Sequence, residues 1–225
     1  MRVLLLFALF LLGMGQGLAT AAETYELLFR STALKGLEAV PDNSEAGQGT
    51  LVYDKVISGT DVGQAGGSFG IGLKIKPDDN VVMTLYQGTR SRALGAYPAS
   101  VGNPVIMYFL ESVLTDVAGQ SGGSPFYMRN RIKEALLRDA QTVPVSLRYQ
   151  NRDIAAREVT IRPFTNDKAR ERMGRFAELA FVVTVSEDVP GWYYSLVATV
   201  PAAAGGAKAG YSNAITLKEA GEDQP

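Results

Sequence analysis

Period-two alternation of apolar and polar residues, repeated in segment after segment, is the feature that most limits what this chain can fold into. In GIGLKIKP, Ile71, Leu73 and Ile75 fall on one side and Lys74 and Lys76 on the other. TVPVSLRYQ sets Val143, Val145, Leu147 and Tyr149 against Ser146, Arg148 and Gln150, and REVTIRPF sets Val159 and Ile161 against Glu158, Thr160 and Arg162. Side chains on a strand point alternately to its two faces, so each such run predicts a half-buried strand. TYELLF, TLVYDKVIS, NVVMTLYQ and SNAITLKE read the same way. FAELAFVVTVSE and GWYYSLVATV are apolar on both faces and read as central strands, turned by Glu187-Asp188 and Pro190-Gly191. Seven to nine strands punctuated by Gly, Pro, Asn and Asp predict an antiparallel sheet system.

Two helices interrupt this pattern back to back. Asn103 caps the first and Pro104 opens it, where a missing N–H costs nothing. Val105, Phe109, Val113 and Val117, flanked by Ile106, Leu110 and Leu114, form one broad apolar face, and Gly119 is the expected stop. Ser124 and Pro125 repeat the same start for GGSPFYMRNRIKEALL, in which Met128, Ile132, Ala135 and Leu136 make the buried stripe. A short polar, exposed helical turn is expected at TNDKARERM, Thr165 to Met173. Gly63 to Gly72 and VPAAAGGAKAG read as loops.

The N-terminus carries an address. Arg2 precedes the apolar run Val3–Gly15, which is short for a bilayer span, and Ala19-Thr20-Ala21 supplies a small-residue cleavage pattern. Residues 1–21 are therefore expected to be a cleaved signal peptide, with 22–225 forming one domain and 219–225 a disordered tail. The mature chain then has no transmembrane segment and is soluble and exported, to the periplasm or beyond the cell. Loss of Arg2 leaves 21 basic against 23 acidic side chains, too balanced for a general nucleic-acid binder.

The 225 residues contain no cysteine and no histidine. That removes disulfides, thiolate nucleophiles, imidazole bases and the commonest metal ligands. No metal site and no cofactor is expected. The glycines from Gly63 to Gly72 are followed by a strand, not the helix N-terminus that a phosphate loop needs. Serine–lysine catalysis survives in principle. Its local patterns are poor, however: Thr32 with Lys35 lies in a loop-like stretch, and Ser124 and Lys133 are nine positions apart on one helix. Carboxylate pairs such as Asp78-Asp79 and Glu187-Asp188 read as turn residues.

The basic helix is the remaining candidate surface. Phe126, Tyr127, Arg129, Asn130, Arg131 and Lys133 are the candidate binding residues; no catalytic residue is assigned. In an envelope compartment the partner would be an envelope protein or an anionic envelope component. The competing interpretation is a solvated helix face whose arginines pair with nearby carboxylates. Trp192 is expected in the core.

The expected architecture is α+β: an antiparallel β-sandwich or strongly curved antiparallel sheet with a helix pair inserted at about 103–140. Three function classes follow. First comes a non-catalytic envelope binding or assembly protein, then a periplasmic carrier of an apolar or amphipathic ligand, then a hydrolase using carboxylate or Ser–Lys chemistry. The carrier requires a long apolar cavity. The hydrolase requires Glu, Asp, Ser and Lys to converge with perturbed pKa values.

Overall fold

The computed structural model describes residues 21–39, 51–59, 67–202 and 210–219. The predicted signal segment up to residue 20, residues 63–66 of the predicted glycine-rich loop, residues 203–209 of the later predicted loop and all of the predicted tail except Glu219 lie outside the described residues. Helix α1 (Ala21–Leu28) is followed by strands β1 (Leu51–Ser58), β2 (Gly67–Ile75), β3 (Asn80–Gln87) and β4 (Arg90–Pro98). Helices α2 (Val105–Ser121) and α3 (Pro125–Arg138) come next, inside the predicted helical insertion. Strands β5 (Gln141–Tyr149) and β6 (Arg152–Ile161), a 3-10 segment (Arg170–Glu178), and strands β7 (Ala180–Val185), β8 (Tyr193–Val200) and β9 (Tyr211–Leu217) follow among the described residues.

All nine strands join one antiparallel sheet in the order β4-β3-β2-β1-β9-β8-β7-β6-β5, an α+β architecture. The first and last runs of strands meet where β1 pairs with β9, leaving β4 and β5 as the edges. One face is the core. Ile71, Tyr53, Leu196, Val183, Val159 and Phe181 on it are each at most 1% exposed. Helix α2 covers that face with Val105, Ile106, Phe109, Val113, Leu114 and Val117, and Phe109 meets Phe181 edge-to-face at 5.9 Å. Each such side chain contributes about 1.5–3 kcal/mol by leaving water. On the other face, Ser195, Val197, Thr199, Ser212, Ala214 and Thr216 are short and half-buried.

The helix starts form much as their sequences dictate. Asn103 Oδ1 accepts the Val105 N–H at 3.1 Å, and its amide donates to Tyr53 Oη and the Gly191 carbonyl, so the cap also ties α2 to the sheet. Ser124 occupies the cap position of α3 ahead of Pro125, but its hydroxyl makes no capping bond. Helix α2 runs past Gly119 to Ser121 and ends at Gly122, whose φ of 69° supplies the left-handed turn.

Four features differ from the sequence pattern, one of them a strand that the pattern left unassigned. TYELLF is helical as far as Leu28, in α1, and not a strand: Thr24, Leu27 and Leu28 are the helix's buried residues, an i, i+3, i+4 set. The last carbonyls of α1 have no partner within the helix. Trp192 Nε1 donates to Leu27 O at 2.7 Å and Tyr193 Oη donates to Leu28 O, fastening α1 to the sheet. Second, residues 90–98 form the edge strand β4, whose exposed Arg90 and Arg92 carry no alternating apolar face. Third, Gly67–Gly72 belongs to β2, where the Tyr86 ring lies over Gly72 in place of a side chain. Fourth, the polar stretch Thr165 to Met173 exposes Thr165, Asn166, Lys168, Glu171 and Arg172 as expected but buries Asp167, Ala169 and Met173.

Candidate functional site

Helix α3 divides the six candidate residues in two. Its buried stripe is Met128, Ile132, Ala135 and Leu136, so residues near the opposite side face water. Phe126, Asn130, Lys133 and Leu137 make an exposed line at helical spacing, with Arg129 beside it. Phe126 is 70% exposed and Leu137 45%. Tyr127 and Arg131 turn toward the loop after β6 instead. The Tyr127 hydroxyl lies 2.5 and 2.6 Å from the two oxygens of Asp167, and Arg131 Nε is 3.6 Å from the same carboxylate. Burial, then the Asp167 carboxylate, raises the Tyr127 hydroxyl pKa.

The positive charge of α3 is largely answered by its own surroundings. Arg129 donates to both oxygens of Glu111 on α2 at 2.8 and 2.6 Å, a bidentate pair that holds the Glu111 carboxyl below its usual range. Arg131 and Arg138 both contact Glu134, at 2.9 and 2.8 Å. What remains outward is an apolar-ended line with Lys133 and Asn130 at its centre.

A second cluster gathers between α2 and the middle of the sheet. Tyr108, Ser112 and Asp116 recur every four residues along one side of α2 and are each half-buried. Across from them, Lys55 on β1 is 3% exposed and Asn213 on β9 fully buried. Lys55 Nζ lies 2.6 Å from Ser112 Oγ and 3.1 Å from Tyr108 Oη, and 4.5 Å from the Tyr108 ring centroid. Asn213 Nδ2 donates to Ser112 Oγ at 2.9 Å and to Asp116 Oδ2 at 3.1 Å, and Tyr211 Oη donates to Asp116 Oδ2 at 2.7 Å. Desolvation lowers the Lys55 pKa to about 8, with Asp116 opposing the shift and Arg92 adding to it. Burial, then Asp116, pushes Tyr211 well above the usual phenol range.

Lysine, serine and aspartate thus converge around an amine with a depressed pKa, a convergence that neither local Ser–Lys pattern in the sequence produces. The signals were present. Lys55 sits in phase with Leu51 and Tyr53, and Asn213 in phase with Tyr211 and Ile215, so each is a polar residue on an apolar face. A polar side chain there must find a partner across the core.

A third feature is an open groove of about 940 Å³ beside α1, lined by Glu26, Arg30, Pro144, Arg157, Glu187 and Trp192 among others. Arg30 stacks 4.2 Å from the Trp192 ring centroid and pairs with Glu187 at 3.0 Å. Trp192, 7% exposed, takes φ = +77° directly after Gly191 at +74°. That unusual turn aims the indole N–H at α1, so the clasp accounts for the strained backbone. The groove's charged, mixed lining differs from the long apolar cavity a lipid carrier needs. Among the described residues no group of three or more Asp or Glu could hold a metal ion, and no helix is long and apolar enough to cross a membrane. No protein-family model matches the chain, and no curated protein matches it either.

Proposed function

We propose that this chain is an exported envelope protein, with residues 1–21 as its signal peptide, that docks another envelope protein through the exposed side of α3. The single ladder from β4 to β5 supports the curved-sheet alternative over a two-sheet sandwich as its framework. The observation that carries the proposal is the 70% exposure of Phe126 at the head of the line Phe126, Asn130, Lys133, Leu137. Large exposed aromatic residues that fill a partner's pocket are typical interface anchors. Pairing of Arg129, Arg131 and Arg138 with Glu111, Glu134 and Asp167 favours a protein over an anionic surface, because those charges are already neutralised.

A photo-crosslinking residue placed at position 126 in the native host tests this, with the same residue at exposed position 153 as control. The expected result is a discrete protein adduct at 126 alone, lost when Leu137→Ala is added, with the melting temperature unchanged within a few degrees. An adduct with lipid, or none, refutes it. Because little charge is left unpaired, capture should weaken only slightly between low and moderate salt; a steep fall would restore the anionic-partner alternative.

A further inference from the structure

We propose that Ser112 and Lys55 form an acyl-transfer pair, with Ser112 Oγ as nucleophile and Lys55 Nζ as its general base, acting on small esters that enter beside Tyr108. This site lies on α2 and β1, away from the α3 surface, and stands or falls independently of it. The geometry is the first support. The 2.6 Å separation is a hydrogen bond along which the serine proton can pass, and both hydrogen-bond partners of Lys55 are hydroxyls. Burial is the second. An amine at 3% exposure with a pKa near 8 is partly neutral at ordinary pH and can accept that proton. The third support is Asn213. Its Nδ2 donates to Ser112 Oγ at 2.9 Å, which fixes the hydroxyl beside the amine, and its Oδ1 is buried without a partner. Half-buried Tyr108, Ser112 and Asp116 mark the side open to solvent.

The chemistry balances without a further reagent. Ser112 Oγ bonds to the acyl carbon as its proton moves to Lys55 Nζ, with the Asn213 amide 2.9 Å from Ser112 Oγ as a neighbouring donor. Collapse breaks the bond to the leaving oxygen, which takes the proton from Lys55 and departs as the alcohol. Water then attacks the acyl-serine ester with Lys55 again as base, Ser112 Oγ recovers a proton and the acid leaves. Ester and water give acid and alcohol. The competing account is that Lys55, Tyr108 and Ser112 only satisfy one another to pin α2 on the sheet.

p-Nitrophenyl acetate and the intact protein distinguish the two. The expected result is a burst of nitrophenolate approaching one equivalent, an acetyl group located on Ser112 by peptide mass spectrometry, and a burst rate rising with pH to a midpoint near 8. Ser112→Ala should remove the burst, and Lys55→Met should slow it by about a hundredfold or more. If Lys55→Met does not fold, as judged by far-UV circular dichroism, Lys55→Arg replaces it. Arginine keeps donors in place but stays protonated, so acylation should still be lost. Acetylation confined to Lys55 or surface amines, or Ser112 acetylation indifferent to both Lys55 variants, overturns the proposal.

Discussion

Replacing Lys55 by methionine should change the pH dependence of stability more than stability itself. The folded pKa of about 8 against the ordinary 10.5 is a shift of about 2.5 units, or about 3 kcal/mol at 1.36 kcal/mol per unit. Below pH 8 both states carry the proton, and the folded state bears the full cost of burying it. Between pH 8 and 10.5 the folded state has released a proton that the unfolded state still holds, so the contribution of Lys55 to unfolding free energy rises with pH. The variant lacks that term. At pH 7 the loss of bonds to Ser112 and Tyr108, about 1 kcal/mol each net, roughly offsets the removed desolvation cost. Wild type and Lys55→Met should therefore lie within about 1 kcal/mol of each other there. By pH 10 wild type should have gained about 2–3 kcal/mol relative to the variant. Urea unfolding followed by fluorescence of Trp192, the sole tryptophan, measures both proteins across the range. Taking the difference between the proteins cancels most of the titration of other lysines and tyrosines. A difference that stays flat within about 0.5 kcal/mol from pH 7 to 10 would refute the buried, desolvated amine and remove the second support for Ser112 activation.

Tyr127→Phe removes the hydroxyl donor from the nearly inaccessible Asp167 carboxylate and should cost about 1–3 kcal/mol in urea unfolding, without altering partner capture through Phe126. Gly102→Ala should lower the melting temperature by about 5–10 °C in calorimetry. Gly102 has φ = +89°, and an added Cβ would lie 2.3 Å from the Arg30 carbonyl oxygen, backbone that cannot rotate away. Pro144→Val restores an N–H donor in the middle of edge strand β5, beside exposed Val143, and should produce concentration-dependent dimers in light scattering.

Sequence pattern located elements wherever one face of a segment is apolar and the other polar. It succeeded for β1, β3, β5 and β6 and for both inserted helices. It failed where the pattern is too short or too faint to carry a period. In TYELLF, six residues satisfy alternation and i, i+3, i+4 spacing equally well, and the decision falls to Trp192 and Tyr193, about 165 positions away, which supply donors for the helix's final carbonyls. Strand β4 escaped because this edge strand sends only Leu94 and Tyr97 against the core, at a spacing that does not alternate, while Arg90 to Ala93 stay exposed. The 3-10 segment misled through composition: Arg170 lies beside buried Ala169, and its guanidinium bonds to the Phe164 and Ala177 carbonyls and to Glu178, so charged residues wrap an apolar turn instead of announcing solvent.

The Lys55 cluster shows why a site can be written in a chain and still not be read from it. Ser112, with Tyr108 and Asp116, forms a polar edge on α2 beside its apolar face, an ordinary sight on an amphipathic helix. Lys55 is one charge in an otherwise regular strand, and Asn213 one amide in another. Each taken alone has an innocuous explanation, and the sequence offers no measure of distance between positions 55, 112 and 213. Pairing of β1 with β9 sets Ile57 opposite Asn213, two residues from Lys55, and the tie from Asn103 to Tyr53 fixes α2 over the same strands. The site therefore depends on the long-range ladder closing at β1 and β9, and its detection requires the anomaly to be weighed first. A lysine in the apolar phase of a strand costs several kcal/mol unless it is neutral or well partnered. Evolutionary retention is not needed for that inference, because desolvation alone makes Lys55 the residue in β1 that packing does not explain.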